Sequence, residues 1–560
     1  MEREMADEIK SIYLGPSSLR TALGDRKATL KAILANRTGL GYDAQLAMPL
    51  GRLADEETAM EGESRIVSLI VRRVEEVLHE ARLEGDDPSW QLILSTTKGN
   101  IEALQGVKDT ISEEAFLHHT AERVQELIGA VRSPIVISNA CISGLSALIV
   151  ARRLMKEGVC RHAVVVGADL VGEFIATGFA SFKSLSEEPC RPYDAARDGL
   201  TLGEAVAALM LTTDEALADE GMVRLDGGAV TNDANHISGP SRTGDGLYYA
   251  MTQALEEAGL EAEAVGLVNT HGTATLYNDE MESKALFLAG LDQTPTSSLK
   301  GYIGHTLGAS GVVETILTAD QLRAGVAFAT KGFSTLGVPC EVRVSDRIQP
   351  LEKRVAVKTA SGFGGCNAAL VLSMERTEEQ PLRPTVDVKE TATYTLPQSE
   401  RPFAEFIREE YRALGEEKNM KFYKMSDLSK GLYVAVANLL KGHELQPRYT
   451  STEVAVVLAN SSSSLEADRE HQRLVDQHPA EGTSPAVFVY TLPNVAMGEV
   501  CIRHKIQGDN TFFIEREGAV VAECYARILL ETGRARAVIT GLAEKLDEKW
   551  QFELKLLETK

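Results

Sequence analysis

Two apolar patterns alternate along the chain. Nearly continuous apolar runs occur at Ile135 to Ile137, Ala163 to Gly167, Ala205 to Leu211, Val355 to Val357 and Ala368 to Leu372. Runs this short and this apolar predict buried strands. Between them lie helical stretches. The segment from Ser64 to Ala81 keeps a 3.6-residue period, with Ile66, Ile70, Val74 and Val77 on one face. Strands alternating with amphipathic helices predict a layered α/β sandwich.

One run breaks the pattern with small residues. In SPIVISNACISGLSAL the strand Ile135 to Ile137 leads into the turn Ser138-Asn139-Ala140-Cys141, and Ser143, Gly144, Ser146 and Ala147 then open a helix. A helix so free of bulk lies close against its neighbours. It also puts the Cys141 thiol at a helix N-terminus, where the dipole lowers a thiol pKa and favours the nucleophilic thiolate. The competing assignment is a buried structural cysteine.

Two histidine motifs shift the balance. Asn269-Thr270-His271-Gly272-Thr273-Ala274-Thr275 is followed by Asp279 and Glu282, eight and eleven residues after His271. Lys300-Gly301-Tyr302-Ile303-Gly304-His305 is followed by Glu314, nine residues after His305. The turn Gly362-Phe363-Gly364-Gly365-Cys366-Asn367 comes last. One cysteine followed by two glycine-flanked histidines is a constellation for nucleophilic catalysis.

With these motifs, and with Arg191-Pro192-Tyr193-Asp194, Arg197-Asp198-Gly199 and Gly203-Glu204-Ala205, the sequence from Ser11 to Met374 resembles the β-ketoacyl-acyl-carrier-protein synthases. These are condensing enzymes of the thiolase superfamily. Ser361 departs from the pattern, since many members carry Phe there, and this bears on the acyl gate. The resemblance implies a thiolase-like αβαβα fold of two similar halves, residues 1–212 with the nucleophile and 213–376 with both histidines. It implies decarboxylative Claisen condensation of an acyl thioester with malonyl-acyl carrier protein, in fatty-acid, polyketide or aryl-polyene-type synthesis. Cys141 accepts the acyl group. His271 and His305 donate to the thioester oxygen as it becomes an enolate. The backbone N–H groups of Cys141 and Phe363 form the oxyanion hole, with Gly362 and Gly364 letting that loop turn. Lys300 and Glu314 pair to orient His305, Asp279 and Glu282 anchor a loop, and Thr273 and Thr275 bind the phosphopantetheine arm of the carrier protein. No metal and no cofactor of the chain's own is implied. Alternatives are a non-catalytic chain-length factor or scaffold, a related thiolase-fold acyltransferase, or a cysteine hydrolase, which would want a carboxylate or Asn to orient its histidine.

A length of 560 residues predicts more than one domain. The net charge of −23 argues against nucleic acid as partner. It also means that an acidic carrier protein must dock on a local basic patch, for which Arg65, Arg72, Arg73 and Arg191 are candidates. The start MEREMADEIK lacks an apolar core, there is no run of eighteen apolar residues, and the seven cysteines are scattered. Together these predict a cytoplasmic protein without a membrane span.

The chain continues past the resemblance. Residues 377–400 are polar and contain proline, as in a linker. In 401–560, Ser451 to Ser464 resembles Trp90 to Asn100, and Glu531 to Gly541 resembles Lys156 to Gly167. Leu492 to Gly498 resembles a segment of condensing-enzyme first halves. The tail therefore reads as a third, degenerate half-thiolase-like domain, with Arg516 near the position of Cys141 and with Cys501 and Cys524 as core residues. A tethered domain of unrelated fold is the alternative. Because condensing enzymes dimerise through the strand before the nucleophile, the expectation is a dimer, or a pseudo-dimer in which Thr511 to Ile514 pairs with Ile135 to Ile137. Asn494 to Gly498 would then line the bottom of the acyl tunnel.

Overall fold

The computed structural model describes residues 11–54, 58–106, 110–375, 386–415, 419–477 and 483–560. Fifteen strands, five per segment, carry its architecture. The first five are β1 (Tyr13–Thr21), β2 (Trp90–Ser95), β3 (Ile135–Ile137), β4 (His162–Asp169) and β5 (Ala205–Thr212). The next are β6 (Arg224–Asn232), β7 (Leu267–Asn269), β8 (Thr296–Ser297), β9 (Val355–Gly362) and β10 (Cys366–Ser373). The last are β11 (Val388–Thr395), β12 (Val454–Asn460), β13 (Asn510–Ile514), β14 (Ala537–Leu546) and β15 (Lys549–Thr559). Hydrogen bonding orders them β1-β5-β4-β2-β3, β6-β10-β9-β7-β8 and β11-β15-β14-β12-β13. Each segment thus repeats the order first, fifth, fourth, second, third. The parallel and antiparallel pairings repeat as well.

The helices that matter below are α1 (Arg65–Ala81), α2 (Ser143–Lys156), α3 (Glu173–Ser181), α4 (Leu276–Leu288) and α5 (Ser310–Ala324), and in the tail α6 (Leu465–Gln477), α7 (Pro485–Val489), α8 (Asn494–His504) and α9 (Val520–Glu531). α1 begins at an N-cap, the Ser64 side chain accepting from Val67 N–H, and buries Ile66, Ile70, Val74 and Val77 as its period predicts. α2 and α5 form the middle layer, each touching strands of both the first and second segments. They cross at Gly144 and Gly311. A Cβ on Gly144 would stand 2.8 Å from the Gly311 Cα, and one on Gly311 would stand 2.3 Å from Leu145 N. This is what the small residues after Cys141 are for. Among the described residues no helix is long and apolar enough to cross a membrane.

The tail joins the first sheet edge to edge. β13 pairs antiparallel with β3, Phe513 opposite Ile137 and Ile514 opposite Val136. Part of the segment read as a linker is a strand: β11 lies at the outer edge against β15. Its residues are intermediate or exposed throughout, so an edge position removed the apolar face that would have marked it. Residues 377–385 of that segment lie outside the described residues.

Candidate active site

Cys141 sits in a 3-10 turn (Ala140–Ile142) between β3 and α2. Ala140 adopts φ +48°, a left-handed conformation. The turn is pinned by Ser143, whose Oγ donates to Ala140 O at 2.6 Å and accepts from Asn139 N–H at 2.8 Å. Asn139 also reaches the tail, donating to Asn510 O at 2.6 Å and accepting from Phe512 N–H at 2.8 Å. The nucleophile turn and β13 are therefore one hydrogen-bonded unit.

His271 follows β7. Its loop is held by Glu282, which accepts from His271 N–H at 2.9 Å and Gly272 N–H at 2.6 Å. Asp279 accepts from Tyr193 N–H at 2.7 Å and Ala274 N–H at 3.2 Å. Both carboxylates anchor backbone. Burial and the neighbouring Glu282 push the Asp279 carboxyl up to about 7. His305 follows Gly304, whose φ of +78° makes the turn.

These elements bring Cys141 Sγ and one ring nitrogen of each histidine within 4.8 Å of one another. His305 Nε2 lies 3.1 Å from Sγ. Leu307 N–H donates to His305 Nδ1 at 3.2 Å, so the neutral ring carries its proton on Nε2 and points it at the sulfur. Burial and nearby Lys300 hold both imidazoles well below the usual histidine range, hence neutral. The same three atoms could close on a thiophilic cation, but His305 would first have to move its proton from Nε2 to Nδ1, which costs Nδ1 the bond it accepts from Leu307.

The thiol departs from expectation. Burial pushes Cys141 up to about 12, with Lys300 pulling the other way. The trio is buried, and at rest desolvation outweighs the helix terminus.

Lys300 Nζ is 2.7 Å from Glu314 Oε1, the pair that the resemblance implies. A second lysine, absent from the motif reading, completes the group: Lys358 Nζ lies 2.7 Å from Glu314 Oε2 and donates to Thr359 O at 2.6 Å. All three side chains are buried. Rather than resting on this pair, His305 is held by Leu307 and Ser310. Removing Glu314 leaves two buried ammonium groups unanswered. Glu314→Gln is therefore expected to cost about 3–5 kcal/mol. Lys300→Met should cost less, because Glu314 keeps Lys358. Thermal midpoints of the two variants check the ranking, and the reverse order would dismiss the two-lysine bridge.

A cavity of about 260 Å³ opens onto this trio, lined among others by Phe179, Phe182, Thr273, Thr275, Ser361 and Phe363. A Cβ on Gly362 would meet Cys141 N at 3.1 Å, so this glycine is there for space. Gly364, at φ +90°, is the one that turns the loop. The tail packs behind the cavity. Phe488 of α7 meets Phe179 at 5.5 Å and Phe182 at 6.3 Å between ring centroids. Asn494 Nδ2 donates to Phe363 O at 2.8 Å. Asn494 to Gly498 therefore brace the Phe363 loop one layer behind the cavity, whose lining comes from the first two segments.

Other expectations change. Arg73 is buried and paired with Glu76 at 2.7 Å, which removes it from any docking patch, whereas Arg191 is exposed. Cys501 is a core residue, but Cys524 is exposed on α9. Arg516 bonds Glu122 across the β3–β13 junction.

The family model of the β-ketoacyl synthase N-terminal domain matches residues 116–216, and that of the C-terminal domain matches 222–334. A mitochondrial protein of Schizosaccharomyces pombe named as a 3-oxoacyl-acyl-carrier-protein synthase is 30% identical over 292 residues, 48% of this chain and 68% of that protein. The 3-oxoacyl-acyl-carrier-protein synthase 2 of Rhizobium meliloti is 34% identical over 251 residues, 42% of this chain and 59% of that protein. Among solved structures, the ketosynthase ApeO in complex with its chain length factor ApeC, from Xenorhabdus doucetiae, is 26% identical with a TM-score of 0.58, covering 67% of this chain and 100% of that one. The PfaC keto synthase–chain length factor is 14% identical with a TM-score of 0.78, covering 98% of this chain and 78% of that one. At that identity it speaks for the fold, and it does so for the tail as well.

Proposed function

We propose, for a chain that belongs to the β-ketoacyl synthase family, that it condenses an acyl thioester with a malonyl thioester carried on the phosphopantetheine arm of an acyl carrier protein. The observation that carries this is the convergence of Cys141 Sγ with two neutral imidazoles at the end of an apolar cavity. Among the described residues neither imidazole is hydrogen-bonded to a carboxylate or Asn orienter of the kind a cysteine hydrolase would want.

In the first step Cys141 Sγ attacks the acyl carbon. The His305 Nε2–H bond stabilises the sulfur as it takes negative charge, and the thiol proton leaves with the departing thiol of the donor. The backbone N–H groups of Cys141 and Phe363 receive the oxyanion. Next, the malonyl carboxylate loses carbon dioxide and the electron pair moves to the α-carbon and thioester oxygen. His271 and His305 donate to that oxygen, so no free base is needed. The α-carbon then attacks the acyl carbon, the bond to Cys141 breaks, and the sulfur takes up a proton. Thr273 and Thr275 at the cavity wall suit the amides of a pantetheine arm.

The tail has no cysteine at the position of Cys141, near which Arg516 stands, and it completes the β3 edge where a second synthase would otherwise sit. Through Phe488 and Asn494 it braces Phe179 and the Phe363 loop from behind the acyl site. A chain-length factor role for the whole chain is disfavoured by the intact trio. The test supplies acyl- and malonyl-loaded carrier protein and follows both products. Carbon dioxide and β-ketoacyl carrier protein are expected in a one-to-one ratio. Acyl transfer without carbon dioxide release would instead show a simple acyltransferase.

A further inference from the structure

The junction of β3 and β13 has a local twofold axis. Within the two sheets Ile93 aligns with Ile135 and Trp90 with His162, as Val457 aligns with Thr511 and Val454 with Ala537. Setting Val454 on Trp90 makes Thr511 the counterpart of Ile135 and Phe513 that of Ile137. Ile137 pairs with Phe513, its own counterpart, which puts the axis through that pair. The same register starts α6 at Leu465, the counterpart of Ile101, where a 3-10 helix (Ile101–Leu104) begins.

Two buried cations of the synthase cross this junction. Lys98 Nζ lies 2.6 Å from Asp468 Oδ1 and donates to Thr491 O. Arg153 Nη1 lies 2.8 Å from Asp509 Oδ2 and also bonds Tyr525. All four charged residues are at most 6% exposed. By the register above, the synthase counterparts of Asp468 and Asp509 are Leu104 and Ser133. On their own side Asp169 accepts from Thr96, Thr97 and Gly308, and Glu257 pairs with Arg152 at 2.6 Å; their charges also act on Lys98 and Arg153, but the carboxylates that bond the two cations are those of the tail.

We propose that Lys98 and Arg153 make the synthase face accept a tail of this chain and refuse a second synthase half. In a synthase–synthase pair about the same axis, both cations would be buried against Leu104 and Ser133 without the carboxylates that now bond them, which is costlier than the pairs now formed. This rests on reading the tail as the stand-in partner.

The axis supplies the probe. Antiparallel partners stand about 4.5–5.5 Å apart at Cα, within disulfide reach. Ile137→Cys is introduced into the full chain with Cys141→Ala and Cys524→Ser, so that a disulfide between two copies reports synthase–synthase pairing. Little linked dimer is expected on oxidation. Adding Lys98→Met with Arg153→Met should raise it at least about tenfold, while Asp468→Asn with Asp509→Asn should not, because the cations remain. Linked dimer already present with the native charges would overturn the stand-in reading itself. No rise in the methionine variant, or an equal rise in both variants, would overturn the charge selectivity alone. Thermal unfolding verifies folding, and Lys98→Met by itself is read the same way if the double variant unfolds.

Discussion

Replacing Cys141 by alanine is expected to abolish acyl transfer, by at least about 10³-fold, with the fold intact. The turn that holds Cys141 is built by Ala140, Ser143 and Asn139, none of which contacts the thiol for its own geometry. Alanine keeps the backbone N–H and removes only the sulfur. Intact-protein mass after incubation with acyl donor reads the outcome, because the parent gains one acyl group and the variant none. The rival thiol is Cys366, which donates to Phe363 O at 3.2 Å and is pushed well above the usual thiol range by burial. An acyl group on Cys366 in the variant would overturn the assignment. The pH dependence is distinctive. With burial holding Cys141 near 12, the resting thiol is protonated at neutral pH, and the thiolate fraction rises about tenfold per unit up to that value. Alkylation of Cys141 in a Cys524→Ser background should therefore keep climbing past pH 9. A plateau near pH 7 would mean that the helix terminus, and not desolvation, sets the thiol. It would also place thiolate formation before donor binding.

What the sequence disclosed and what it hid follow from one distinction. Features set by local pattern were legible. The period of α1, the small residues that let Gly144 meet Gly311, and the strand-then-turn likeness of Val454–Asn460 to Trp90–Ser95 all survive into the structure. The repeat was visible in the tail even without a catalytic motif, because strand order depends on patterning and not on chemistry. Features set by distant partners were hidden. Lys358 follows the apolar run Val355–Val357 and reads as the place where a strand ends, yet β9 continues through it because Glu314 on α5 answers its charge. Asn139 looks like an ordinary turn residue until β13 arrives to bond both of its side-chain ends. β11 carries no apolar face because only its edge is used. The raised thiol was missed for the same reason: the helix terminus is visible in the sequence, whereas the desolvation comes from layers folded over it.

Removing either histidine should separate the two halves of the reaction. His271→Ala and His305→Ala are each expected to lower malonyl decarboxylation by roughly 10²–10³-fold, the range for one oxyanion donor in a dry site. Acylation of Cys141 needs the sulfur and the backbone donors, so both variants should still take up an acyl group. They should differ in how fast. His305 Nε2 touches Sγ at 3.1 Å and steadies the sulfur as charge develops, so its loss should slow acylation as well. In His271 the Nδ1 atom has no hydrogen-bond partner among the described residues, and its loop is fixed through backbone bonds to Glu282. Its side chain can therefore be removed without loosening the thiol, and acylation should stay near the parent rate. Carbon dioxide release, followed beside acyl occupancy by mass, resolves the two effects. Parent-rate decarboxylation in both variants would show that the enolate oxygen is stabilised elsewhere. Equal slowing of acylation in both would show that His271 also acts on the sulfur, and that the trio works as one unit and not as a nucleophile with a pair of donors.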